Sequence, residues 1–214
     1  MSKREKAKNI LNSTMQKLYD NRVIIIFLLA IFILAVGVRS DLMKYPGNYL
    51  FEPDASYHAR MILDLVRDGS VPNPDNLNYY QVEGGMGNQA PSVYWYLSAV
   101  LYWVIAIGQP FSKDLLLWSV KFFPAIFGAL ISIAMYFLAK EVFGDKRVAL
   151  ITAFLAAITP AFVYRTMSGA QGDNSLGFLW MVIGFYFFVK AVKTKTLTKS
   201  DAINAILAGV FFLI

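Results

Sequence analysis

Long apolar stretches alternate with short polar ones along this chain of 214 residues. A helix needs roughly 17 to 25 mostly apolar residues to cross the hydrocarbon core of a bilayer. Several stretches approach that length, so the pattern predicts an all-α polytopic membrane protein. The predicted spans cover residues 23–38, 122–139, 148–163 and 176–189. A last stretch, 202–214, is too short to cross, and we interpret it as the start of a truncated fifth span in the N-terminal part of a larger protein.

Basic residues indicate the orientation of these spans. Residues 1–22 are rich in Lys and Arg, and further basic residues cluster at 140–147 and 190–199. All three clusters obey the positive-inside rule if the apolar segment 91–107 lies outside without crossing. A cleaved signal peptide is the competing interpretation of the first span, but no small-residue cleavage pattern accompanies it. The N-terminus is therefore predicted to be cytoplasmic.

The same topology leaves residues 39–121 as one long external loop. Its apolar part is predicted to form an interfacial or re-entrant helix, anchored at the membrane surface by Tyr94, Trp95 and Tyr96. A shorter helix is predicted at 56–66. A loop of this length is uncommon unless it has a function.

Composition supports a membrane protein and narrows its chemistry. Hydrophobic residues make up 57% of the chain and the mean hydropathy is +0.50, more apolar than soluble domains usually are. The net charge is +6, but the basic residues lie beside apolar spans, so we expect membrane lipids and no nucleic acid as partners. The absence of cysteine excludes disulfides and thiolate chemistry, and a single histidine argues against a Ser-His-Asp triad.

The external loop opens with a polar motif that contains Glu52, Asp54, His58 and Arg60. Pro53 disfavours helical geometry for the residue before it, so Asp54 is predicted to cap a helix that carries His58 and Arg60. A fixed carboxylate also suits a hard divalent cation such as Mg²⁺ or Mn²⁺, which prefers oxygen ligands and often shares them with a substrate phosphate. Taken alone, the motif is explained at least as well by a simple helix cap.

A second polar segment, 164–175, contains Arg165 and Asp173. The span 122–139 crosses inward and the span 148–163 crosses outward. This segment therefore returns to the outer face that also holds Asp54. The two acidic motifs are predicted to meet there.

The order of these motifs resembles the catalytic subunit of oligosaccharyltransferase, in the single-subunit archaeal and bacterial enzymes and their eukaryotic counterpart. The resemblance lies in an acidic-x-Asp at Asp54, the Tyr-His-x-Arg after it, and a later Tyr-Arg-Thr-Met-Ser-Gly that precedes Asp173. It implies a GT-C type membrane glycosyltransferase with a transmembrane helix bundle and a long first external loop. Such enzymes transfer an oligosaccharide from a polyprenyl or dolichyl phosphate or pyrophosphate carrier to Asn in Asn-x-Ser/Thr sequons. The active site is then expected on the external face of the cell membrane.

The resemblance also implies roles for individual residues. Asp54 occupies the position of the catalytic Asp that ligates the metal and approaches the acceptor amide, and Asp173 is the candidate for a second metal ligand, with Mg²⁺ or Mn²⁺ as the cofactor. Arg165 matches the Arg of the second motif and is expected, with Arg60 and His58, to bind substrate. Structural ion pairs of the two arginines with Asp54 and Asp173 explain them about equally well.

The second motif departs from the family pattern, because it has one acid where the family has two. Either one residue is inserted before Asp173, and Ser175 replaces the second acid of the family motif. Or there is no insertion, and Gly172 and Asn174 replace both acids. We favour the insertion, because Asp173 then remains a ligand. The alternatives to this family are another GT-C enzyme, such as a protein O-mannosyltransferase, and a non-catalytic membrane transporter or scaffold.

Overall fold

The computed structural model describes residues 5, 21–45, 47, 49–72, 75, 92–193 and 198–213. Most of the basic lead in 1–22, and residues 76–91 of the predicted external loop, lie outside the described part. The described residues form helices and no strand, which confirms the all-α class. The helices are α1 (Arg22–Arg39), α2 (Pro53–Asp68), α3 (Val93–Ile105), α4 (Lys113–Phe143), α5 (Lys146–Ile158), α6 (Pro160–Thr166), α7 (Gly172–Val192) and α8 (Lys199–Leu213), with a short 3₁₀ turn at Asp41–Lys44.

Three of the described helices, α1, α4 and α7, are long and apolar enough to cross a membrane by length and composition. Helices α5 and α6 meet at a bend of 55° and make a fourth span if they count as one broken helix. The predicted spans fall within these elements, but α4 begins at Lys113, well before the predicted start at 122. Helix α3 is a shorter apolar helix within the predicted 91–107.

The turn between α4 and α5 is specified by two adjacent residues. Gly144 ends α4 with a positive φ of 72°, a conformation that glycine adopts without steric strain. Asp145 then caps α5, because its side chain accepts hydrogen bonds from the backbone N–H groups of Arg147 and Val148. The two helices therefore form a tight antiparallel pair.

Helix α4 is the centre of the bundle and packs against α1, α5 and α7, while α7 packs against α8. Small residues line the contact of α1, α4 and α5, which lets the backbones approach closely. The buried alanines there are Ala35, Ala129, Ala139, Ala149, Ala153 and Ala157. A second core, formed by α2, α3, α4 and the start of α7, lies beneath the polar motifs and includes Met61, Ile62, Trp95, Leu116, Phe123 and Leu176.

Hydrogen bonds show which helix ends share an end of the bundle. Lys146 Nζ donates to Asn21 Oδ1 at 3.0 Å, and Lys193 Nζ donates to the backbone carbonyl of Glu141 at 2.7 Å. The start of α1, the α4–α5 turn and the end of α7 therefore lie together. At the opposite end, the backbone N–H of Ser168 donates to the carbonyl of Arg39 at 2.8 Å. The described basic clusters are thus at one end, and the polar motifs at the other.

Gly128 lies at a close contact between α4 and α6. A Cβ built at Gly128 would lie 2.5 Å from the Cβ of Thr166. We expect Gly128→Ala to lower stability by about 1–3 kcal/mol, because overpacking forces the helices apart. The measurement is the thermal unfolding midpoint of the purified full-length protein. Gly177→Ala is the matched control, since a Cβ there meets nothing within 4 Å, and an equal loss in both variants would contradict the close contact.

Candidate functional site

The first acidic motif forms the start of α2. The helix begins at Pro53 with Glu52 at the N-cap position, so the predicted cap at Asp54 is wrong. Proline suits the first helical position because its missing N–H has no partner to lose there. Asp54 lies in the first turn and is exposed, where the helix dipole favours an acid. Its carboxylate makes no hydrogen bond or ion pair with the described residues, so it is available to a ligand.

The second acidic motif forms the start of α7, where Asp173 is partly buried. Asp173 Oδ1 accepts a hydrogen bond from the backbone N–H of Asn174 at 2.8 Å. Its Oδ2 accepts one from the Gln171 side-chain amide at 3.0 Å, and His58 Nε2 lies 3.5 Å from the same oxygen. The two motifs are therefore in contact through His58 and Asp173.

His58 is buried, and both of its ring nitrogens face polar groups. Trp95 donates its indole N–H to His58 Nδ1 at 2.7 Å. Because an indole nitrogen only donates, Nδ1 carries no proton, and a neutral imidazole then carries its proton on Nε2. That proton faces Asp173 Oδ2 at 3.5 Å. Gln171 Nε2 lies 3.3 Å from the same ring nitrogen and donates its own hydrogen bond to Asp173 Oδ2 at 3.0 Å. Trp95 thus selects the tautomer that can donate to Asp173.

Sequence reasoning missed this role of Trp95. Trp95 and Tyr94 were predicted to anchor the chain at the membrane surface, but both are buried in the core, and of the three aromatic residues only Tyr96 is exposed. A run of consecutive aromatic residues does not indicate which ring faces inward. In the structure, Trp95 faces inward, where its indole meets His58 on α2.

Helix geometry places Asp54 beside the same histidine. Asp54 precedes His58 by four residues on α2, and side chains so spaced are neighbours on one helix face, with Cβ atoms about 5–6 Å apart. Asp54 therefore lies on the face of α2 that carries His58, and Asp173 approaches His58 from α7.

Arg60, which was predicted to bind substrate, forms an ion pair with Asp75 in the structure. Its Nη1 donates to Asp75 Oδ1 at 2.8 Å, and its Nη2 also bonds the second carboxylate oxygen. The Asp75 side chain is 1% exposed, so this bidentate pair holds the chain after α2 against that helix. The suggested pairing of Arg60 with Asp54 is not found in the structure.

Arg165 is paired more loosely. Its Nη1 lies 3.7 Å from Glu52 Oε1, and its side chain is 56% exposed. The neighbouring rings of Phe51 and Tyr164 meet edge to face at 5.6 Å. Arg165 therefore contacts the first motif through Glu52, not through Asp173, and its guanidinium remains accessible to an anion.

The structure limits which positions of the second motif can hold an acidic side chain. A Cβ at Gly172 would lie 2.3 Å from Tyr94 Cε2, and the Tyr94 ring is itself buried. Burial also raises the pKa of Tyr94, so its phenol stays neutral. Ser175 is fully buried, on the same face of α7 as Gly172. A larger acid fits at neither position, which leaves Asp173 as the acid of this motif.

The donors present suit a metal that needs few protein ligands. Within the described ranges, no three side chains of His, Cys, Asp or Glu are grouped to hold an ion. Asp54 and Asp173 nevertheless offer carboxylate oxygens. Mg²⁺ is commonly bound through one or two carboxylates, several waters and a substrate phosphate. The two acids fit a site of that type.

Matching sequences and structures define the class of protein to which this chain belongs. A family model described as oligosaccharyl transferase STT3, N-terminal, matches residues 43–214. The chain therefore belongs to the STT3 family of oligosaccharyltransferases. This confirms the resemblance seen in the motifs and the multi-pass membrane architecture, and it disfavours the O-mannosyltransferase and transporter alternatives.

Individual relatives show how much of the family this chain represents. Dolichyl-phosphooligosaccharide-protein glycotransferase 1 of Archaeoglobus fulgidus is 24% identical over 187 residues, covering 86% of this chain and 29% of the relative. Subunit STT3B of the Arabidopsis thaliana glycosyltransferase is 28% identical over 102 residues, covering 47% of this chain and 13% of the relative. The apo crystal structure of the A. fulgidus oligosaccharyltransferase matches with a TM-score of 0.71 at 25% identity, over 87% of this chain and 22% of that one. The chain thus spans less than a third of each of these proteins.

The Arg60–Asp75 pair predicts a stability effect that is separate from catalysis. Arg60→Gln leaves the buried Asp75 carboxylate without its bidentate cation. We expect a loss of about 2 kcal/mol, less than for a fully buried pair because the guanidinium is partly exposed. The thermal unfolding midpoint of the full-length protein measures it. Arg67→Gln removes an exposed pair with Asp68 and should change the midpoint much less. Equal midpoints for Arg60→Gln and the unmutated protein would contradict a structural role.

Proposed function

We propose that this chain is the N-terminal part of an oligosaccharyltransferase catalytic subunit. It would transfer an oligosaccharide from a polyprenyl or dolichyl phosphate or pyrophosphate carrier to Asn in Asn-x-Ser/Thr sequons. The observation that supports this most directly is the contact of His58 in the first motif with Asp173 in the second. The oligosaccharyltransferase AglB of A. fulgidus has been solved with an inhibitory peptide and a dolichol-phosphate, which supports a peptide acceptor and a lipid-linked donor.

The proposed cofactor is Mg²⁺ or Mn²⁺, held by Asp54 and Asp173. The A. fulgidus oligosaccharyltransferase has also been crystallised with Zn and sulfate, which supports a metal site of some kind. A bound divalent cation would supply charge neutralisation for the departing phosphate. With a single acid in the second motif, water and substrate oxygens would complete the coordination.

The chain's own side chains have distinct tasks in this proposal. Asp54 accepts a hydrogen bond from the acceptor amide and so polarises a poor nucleophile, while its helix holds it in place. His58 keeps Asp173 oriented through Nε2–H and does not itself meet substrate. Arg165 is accessible and only loosely paired with Glu52, so it can exchange that partner for a phosphate of the carrier. Arg60 stabilises the fold through its ion pair with Asp75.

The orientation in the membrane is part of the proposal. The described basic residues Lys146 and Lys193 lie at one end of the bundle with the start of α1, and the positive-inside rule puts that end in the cytoplasm. The N-terminus is then cytoplasmic, and the acidic motifs face the exterior of the cell membrane.

Removal of either acid should abolish transfer. In the full-length protein, Asp54→Ala and Asp173→Asn are expected to reduce glycan transfer to an Asn-x-Thr peptide by at least about 100-fold, because electrostatic stabilisation by a metal contributes several kcal/mol. Chelation with EDTA should stop transfer by the unmutated protein, and Mn²⁺ should restore it. A fluorescent peptide shift on a gel measures the product.

Asp68→Asn is the matched control, because Asp68 is exposed and pairs with Arg67. It should leave transfer unchanged. Undiminished transfer by Asp54→Ala, or transfer that survives EDTA, would overturn the proposed metal site. No transfer by the unmutated protein with any lipid-linked donor would overturn the enzyme assignment.

The tautomer of His58 predicts a role for Trp95 in metal binding. Trp95→Phe keeps the buried ring but removes the N–H that His58 Nδ1 accepts. We expect the Mn²⁺ concentration for half-maximal transfer to rise about tenfold, as is typical when outer partners of metal ligands are lost. Trp103→Phe, at an exposed tryptophan on the same helix, is the control. An unchanged Mn²⁺ requirement in Trp95→Phe would show that Asp173 does not depend on His58.

A further inference from the structure

Arg39, the last residue of α1, is a buried cation that the proposed reaction leaves unexplained. Its side chain is 0% exposed. Among the residues that the structure describes, no carboxylate oxygen lies within 4.0 Å of its guanidinium. A buried charge at a membrane helix end is costly unless other groups compensate it, and such charges usually have a function. All of its hydrogen-bond partners are neutral oxygens.

Two of these oxygens belong to the break between α5 and α6. Arg39 Nη1 donates to the carbonyl of Ala157 at 2.7 Å, and Nη2 donates to the carbonyl of Ala156 at 3.4 Å. In an unbroken helix the carbonyl of Ala156 would accept from residue 160, but Pro160 has no N–H. The guanidinium therefore replaces a missing helical donor, and its charge complements the negative end of the α5 dipole.

Arg39 Nη1 also donates to the carbonyl of Ala35 within α1 at 3.1 Å, and the other contacts of Arg39 hold the second motif. Its Nε donates to Thr166 Oγ1 at 2.8 Å, and its backbone carbonyl accepts from the N–H of Ser168 at 2.8 Å. Gly128 leaves the space for this pair, because a Cβ there would lie 2.9 Å from Arg39 Nε. One residue thus fixes both the helix break and the Thr-Met-Ser stretch that follows Arg165.

This stretch leads directly to both acidic motifs. The N–H of Gly169 donates to the carbonyl of Lys121 at 2.8 Å, and its own carbonyl accepts from the N–H of Phe51 at 2.6 Å. Phe51 lies two residues before Pro53, the first residue of α2, which carries Asp54. In the other direction, α7 begins three residues after Gly169 and carries Asp173. A shift at Thr166 or Ser168 is therefore transmitted to each carboxylate through backbone bonds.

We infer that Arg39 is a positioning residue for the proposed reaction: it ties the broken helix to the second motif and so sets the spacing of Asp54 and Asp173. The inference rests on the proposed function. A guanidinium suits this task because its three nitrogens lie in a fixed plane and here donate to four separate oxygens. A lysine offers one ammonium, which can meet the α5 carbonyls but not Thr166 as well.

The test uses the full-length protein and measures Mn²⁺ affinity by electron paramagnetic resonance, together with kcat and KM for transfer. Arg39→Gln is expected to weaken Mn²⁺ binding by about tenfold or more and to lower kcat with little change in peptide KM. Arg39→Lys should fall between Arg39→Gln and the unmutated protein. Thr166→Val removes only the acceptor of Nε and should weaken Mn²⁺ binding by a smaller factor in the same direction.

Arg147→Gln is the matched control, because Arg147 is an exposed arginine at the start of α5, and it should bind Mn²⁺ as the unmutated protein does. A purely structural role for Arg39 would reduce the yield of folded protein and leave the Mn²⁺ affinity of the folded fraction unchanged. If Arg39→Gln does not fold, Arg39→Lys and Thr166→Val decide. Unmutated Mn²⁺ affinity and kcat in the folded variants would overturn the inference, whereas absence of Mn²⁺-dependent transfer in the unmutated protein would overturn the proposed function itself.

Discussion

Backbone hydrogen bonds at Gly169 join the two acidic motifs to the membrane bundle. The residue donates to Lys121 in α4 and accepts from Phe51 just before α2. Its φ of 80° strains any residue other than glycine, and a Cβ there would also lie 2.7 Å from the Leu42 side chain. Because these hydrogen bonds connect main-chain groups, the backbone sets the separation of the two acids. The side chains of the two motifs are therefore not needed to hold the motifs together.

The fold was largely predictable where apolar length alone decides it. The spans 23–38 and 176–189 fall inside α1 and α7, and the motifs predicted the contact of the two polar segments. The early start of α4 was missed because Lys113, Asp114 and Lys121 read as a loop. In the structure, the first turns of α4 pack against α3 instead of lipid, and Lys121 is buried with its Nζ bonded to the carbonyl of Gly47. Hydropathy cannot distinguish a helix covered by protein from a loop.

The identity of the site residues came from sequence motifs, but their partners did not. Arg60 binds Asp75, which lies outside any recognisable motif, and Arg165 turns to Glu52 instead of Asp173. The first pairing depends on how the chain folds back after α2, and the second on how the end of α6 lies against the start of α2; spacing along the chain encodes neither. The same holds for the indole that fixes His58. The sequence thus indicated which side chains belong to the candidate site. Tertiary packing determined which of them are paired with other residues and which are accessible to a ligand.

The contact of Gly172 with the Tyr94 ring limits how this site can be redesigned. Any attempt to enrich its negative charge, for instance by saturation mutagenesis across the start of α7, meets an occupied volume at 172 and a sealed interior at 175. An added carboxylate must therefore come from a position that water reaches, such as the partly exposed Asn174 or the exposed first turn of α2. Engineering of metal preference in this protein is for that reason limited to Asn174 and the first motif.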